Sequence, residues 1–102
     1  MLSKEEVEKF EVEHKRVAHL KAKDEAWELV LRKPNRAEYK RFRKEATGDN
    51  SDSAQETLVR QIAVYPSRDA LDALFDDYPG IAEACGKAIR HLCGIEADEQ
   101  GK

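Results

Sequence analysis

The chain is short of most residues that build special structures. Among its 102 residues there are two cysteines, three prolines, five glycines, one methionine and one tryptophan. Two cysteines are too few for a disulfide scaffold, and with no secretory leader visible in MLSKEEVEKF they read as reduced thiols of a cytoplasmic protein. The five glycines are scattered, so no phosphate-cradling loop is present. The longest apolar run is Ile62 to Tyr65, far below the ~20 residues of a membrane span. A 102-residue chain holds one small core and no large enclosed substrate cavity.

What is abundant is charge, at 38% of residues, divided unevenly along the chain. Residues 1–45 hold 13 Lys/Arg against 10 Asp/Glu, whereas residues 46–102 hold 5 against 11. The result is a dipolar molecule of net charge −3, suited to orienting a partner or stacking copies. That net charge argues against a dedicated nucleic-acid binder, which is expected to be strongly basic.

The spacing predicts a mostly helical α+β domain over 1–94, one N-terminal β-hairpin packed against four or five short helices, followed by a mobile polar tail at 95–102. Ser3 and Glu6 have capping-box spacing, and Val7, Phe10 and His14 recur on one helical face. That helix ends near His14 in preference to running on to Lys23, because the period then changes. Ala18, Leu20 and Ala22, then Trp27, Leu29 and Leu31, alternate with polar neighbours about Lys23-Asp24-Glu25, as two strands with one buried face. Pro34 ends the second strand and Asn35, with Glu38, caps a helix bearing Tyr39 and Phe42. The polar stretch Thr47 to Asp52 reads as a loop, Ser53 and Glu56 as the next capping box, and Leu58, Val59, Ile62 and Ala63 as that helix's apolar side. Ser67 opens a helix buried through Leu71, Leu74, Phe75 and Tyr78; the last helix carries Ile81, Cys85, Ala88, Ile89 and Leu92 and ends at Gly94. The expected core is Trp27, Leu29, Leu31, Phe42, Leu58, Ile62, Leu71, Phe75, Ile89 and Leu92.

No residue pattern points to an enzyme, a cofactor or a metal. His91 and Cys93 are the only close ligand pair, and Cys85 falls on an apolar stripe as a small hydrophobe. Glu5-Glu6, Asp24-Glu25 and Asp76-Asp77 lack the differently desolvated surroundings that acid–base work needs, so solvated surface charge is the simpler reading. The densest feature is RKPNRAEYKRFRK at 32–44, seven Lys/Arg with one Glu. On a helix Arg36, Lys40, Arg43 and Lys44 share one side. A plain solvated face ranks first for it, contact with an acidic protein second and phosphates of nucleic acid third. Tyr65 and Tyr78, each followed by proline, read as turn anchors, or as rigid contacts for a partner.

Two stretches, WELVLRKPNRAEYKRFRKEA and ETLVRQIAVYPSRDALDALFDDYPGIAEACGKAI, give the chain a family resemblance. From Trp27 to Gly94 it resembles the small tail assembly chaperones of tailed bacteriophages; the first 26 residues add little. The resemblance implies a non-catalytic protein that binds a long helical tape measure protein, keeps it soluble and helps tail tube subunits polymerise around it. It also implies self-association as a homo-oligomer and, in the family, a longer form made by frameshifting. Nothing catalytic is carried over. The alternatives are a small nucleic-acid-binding protein using the basic helix at 36–44 and a phage-encoded inhibitor of a host protein.

Overall fold

The computed structural model describes residues 2–48 and 51–94. The expected mobile tail at 95–102 therefore lies outside the described residues. Helix α1 spans Lys4–His14, β1 Val17–Lys21, β2 Glu28–Arg32, α2 Arg36–Ala46, α3 Ser51–Ile62, β3 Ala63–Tyr65, α4 Arg68–Asp77, α5 Ile81–Ala84 and α6 Gly86–Leu92. The α+β class and the mainly helical character follow the sequence.

Both full capping boxes form. Ser3 Oγ accepts from the Glu6 amide while Glu6 reaches back to the Ser3 amide, and Asn35 with Glu38 repeats the exchange at the start of α2. The break after His14 is real: Lys15 takes φ 67°, and Arg16 N–H closes back on His14 O at 2.7 Å. The hairpin has the expected partners, Ala18 opposite Leu31 and Leu20 opposite Leu29, on the face that meets the helices.

The sheet departs from a lone hairpin. Its order is β1-β2-β3, all antiparallel, because Ala63-Val64-Tyr65 leaves the helical stripe and pairs with Val30 and Leu31 of β2. Tyr65 precedes Pro66, which restricts it to extended backbone, so the helix cannot continue through it. Consequently β2 is central and buried from Glu28 to Leu31, on both faces and not one. Leu29 and Leu31 join the main core. Val30, fully buried too, lies outside that cluster on the face that carries His19, where α1 packs along β1.

The core collects Leu29, Leu31, Leu58, Val59, Ile62, Leu71, Phe75, Ile81, Cys85, Ile89 and Leu92. Trp27 and Phe42, expected inside, are only partly buried against it. Tyr78 is also not on a buried face: it is the residue that ends α4 and is 40% exposed. Helix α3 begins at Ser51, so Ser53 is inside the helix and not its cap; Glu56 instead pairs with Arg60 one turn on, at 2.9 Å. The single closing helix is broken into α5 and α6. The Cys85 amide is shared between Ile81 O and Ala82 O, and Gly86 follows with the Gln55 side chain against its Cα. Gln55 Nε2 donates to Ala82 O and so ties α3 to α5.

Candidate partner-binding surface

Helix α2 sorts its residues by a simple period. Glu38, Tyr39, Phe42, Glu45 and Ala46 are half-buried on the side that packs on α3. Arg36, Lys40, Arg43 and Lys44 fall within about 100° of arc on the opposite side, as the ~100° step per residue requires, and all four are exposed. Among the described residues, none of the four has a carboxylate within ion-pair distance, in contrast to Arg32.

Arg32, in the same basic stretch, has a structural role. Its Nη1 and Nη2 donate to the two oxygens of Glu38 at 2.8 Å each, and Nη2 also reaches Gln61 O at 3.1 Å. The guanidinium hydrogen bonds hold the Glu38 carboxyl below its ordinary range against the opposing effect of burial. The pair therefore fixes the start of α2 to the end of β2 and to α3, and aims the exposed row outward.

At its first turn this row runs into a cleft of about 480 Å³, lined by Arg16, Lys33, Pro34, Asn35, Arg36, Tyr39, Leu92 and Cys93. Arg16 is held there by Nη2 donating to His91 O at 3.1 Å, which joins the start of β1 to the end of α6. Burial raises the Cys93 thiol, and the charges of Arg16 and Lys33 pull it the other way. Cys85 is different: it is fully buried, and desolvation pushes its thiol up to about 12. Both cysteines are free thiols, and His91 is exposed.

Of the sequence candidates, only Arg36 joins this cleft; Lys40, Arg43 and Lys44 continue along α2 beyond it. Tyr65 and Tyr78 flank α4, one on each side, and neither lines the cleft. Tyr65 is half-buried and paired with Val30, so it is a sheet residue before it is a contact. Arg16, Lys33 and Cys93 were not singled out as a group by the sequence, because they come together only when β1, β2 and α6 meet. Among the described residues no group of three or more His, Cys, Asp or Glu could hold a metal ion, and no helix is long and apolar enough to cross a membrane.

Comparison with known proteins places the chain in a family. The model for DUF6848, a domain of unknown function, matches residues 3–102, and the chain belongs to that family. The search among curated proteins gives no match. Among solved structures the chain is similar to an uncharacterised protein, rbstp2171, from Bacillus stearothermophilus, with 18% identity and a TM-score of 0.74 over 93% of this chain and 98% of that one. A likeness at that identity establishes a shared fold.

Proposed function

We propose that this member of the DUF6848 family is a non-catalytic protein-binding module, and that the basic face of α2 meets an acidic stretch of its partner. The row Arg36, Lys40, Arg43 and Lys44 carries the reading. Neighbouring like charges one turn apart on a helix cost a few tenths of a kcal/mol per pair, and a partner's carboxylates would offset that cost. The tail assembly chaperone role is the specific form of this reading, with a long helical tape measure protein as client and self-association as its working state. It rests on the sequence resemblance. Nucleic acid ranks behind protein because Tyr39 and Phe42, the aromatics of this helix, lie on its half-buried side and leave no exposed ring in the cationic row for base stacking.

Co-expression with a long tape-measure-type helical protein tests it. The wild-type chain is expected to keep the client soluble and to co-purify in fixed ratio, whereas R36E/K40E/R43E/K44E does neither while keeping its circular dichroism. A client that stays insoluble beside the wild type, or one held equally by the variant, removes the proposal. Retention of DNA that falls steeply with salt and is lost in the variant would reassign the face to nucleic acid.

A further inference from the structure

We propose that the cleft at the start of α2 is a site for a small phosphorylated molecule, its phosphate seated between Arg16, Lys33 and Arg36. Three observations converge. The chain has 21 Asp/Glu against 18 Lys/Arg, yet the cleft wall has three cations and no carboxylate. The cations come from three places, before β1, after β2 and the first turn of α2, so no single helical period explains their meeting. One of them is fixed in place, since Arg16 is held by His91 O at the end of α6.

Size and lining choose among anions. About 480 Å³ lies within the range of small-molecule clefts, ~300–1,000 Å³. Pro34, Tyr39 and Leu92 supply apolar wall for an organic portion. A phosphate ester carries up to two charges and three free oxygens, which suits a guanidinium pair and an ammonium better than one carboxylate does. The site shares Arg36 with the partner row, whereas Lys40, Arg43 and Lys44 lie outside it.

Cys93 supplies a built-in reporter, because it lines the cleft and feels both Arg16 and Lys33, while buried Cys85 serves as internal control. Alkylation of Cys93 by iodoacetamide, followed by mass spectrometry, is measured with inorganic pyrophosphate or phenyl phosphate against chloride at equal ionic strength. At about ten times its Kd a ligand leaves about one-tenth of the clefts open, so labelling slows about tenfold. Lys33→Glu, whose side chain is exposed and makes no hydrogen bond or ion pair among the described residues, is expected to abolish the protection and to keep the far-UV spectrum. Arg16→Lys, which keeps the charge but loses the fork, is expected to weaken it. No protection by either phosphate at constant ionic strength overturns the proposal, as does equal protection in Lys33→Glu. Equal protection by a poly-glutamate peptide also overturns it, by making the cleft one end of the partner row; effects of Lys40, Arg43 and Lys44 are excluded by repeating the assay in K40E/R43E/K44E, where phosphate protection must persist.

Discussion

His19 and Glu28 meet diagonally across β1 and β2, with His19 Nε2 2.5 Å from Glu28 Oε2. The other carboxylate oxygen accepts from the Leu2 amide at 2.9 Å, so one nearly buried acid fastens the segment before α1 to the central strand.

This clasp gives the fold an acid-sensitive limb. Burial pushes the Glu28 carboxyl up, but the bonds from Leu2 and His19 and the nearby positive charge together hold it below its ordinary value. A depressed folded value means stability that is present above the ordinary carboxylate range and is lost as pH falls through the folded value. Glu28→Gln is therefore expected to flatten the loss of stability as pH falls from the ordinary carboxylate range through the folded value. Urea midpoints across that range measure it, and parallel curves for the two proteins would exclude the clasp as the cause.

The Arg32–Glu38 fork gives a second test. Arg32→Lys keeps the charge but loses the bidentate geometry and the bond to Gln61 O, at an expected cost of about 1–3 kcal/mol. Chemical denaturation reads it directly. A variant as stable as the wild type would show that the fork aims α2 without holding it.

Glu25, at φ 62° in the hairpin turn, occupies backbone that favours glycine. Its amide closes the turn onto Ala22 O at 2.9 Å, and its side chain stands in an exposed pair with Lys21 at 3.8 Å that adds little. Glu25→Gly is expected to raise stability by up to about 1 kcal/mol and Glu25→Val to lower it. The reverse order in thermal melts would mean the turn relaxes without strain.

Gly86 begins α6, where alanine would ordinarily stabilise the helix by about 1 kcal/mol. A Cβ there would come within 3.0 Å of Gln55 Nε2, the atom that ties α3 to Ala82 O. Gly86→Ala is therefore expected to be neutral or destabilising in the wild type, and stabilising in a Gln55→Ala background. A double-mutant cycle measures that coupling, and additive effects would remove steric conflict as the reason for glycine.

Much of this architecture is written in local chemistry. Ser3–Glu6 and Asn35–Glu38 could be read because a capping box needs only residues three apart, and the hairpin because alternation survives without tertiary help. Ser53–Glu56 has the same spacing but sits inside α3, so spacing alone does not place a helix start. β3 escaped notice because three residues at the end of an amphipathic stripe look like more helix; only pairing with Val30 and Leu31 makes them a strand. The four exposed cations of α2 were legible from their period. The cleft was not, since Arg16, Lys33 and Cys93 are far apart in the chain and share no periodicity.

The brevity of β3 also bears on how copies of this protein treat one another. A sheet ends in two open rims, and a long, flat rim invites a stranger's backbone to add itself. Here one rim is three residues long and closes at Pro66, which has no amide proton to offer. An incoming strand would find too few rungs to grip, so runaway sheet growth is discouraged on that side by chain length alone.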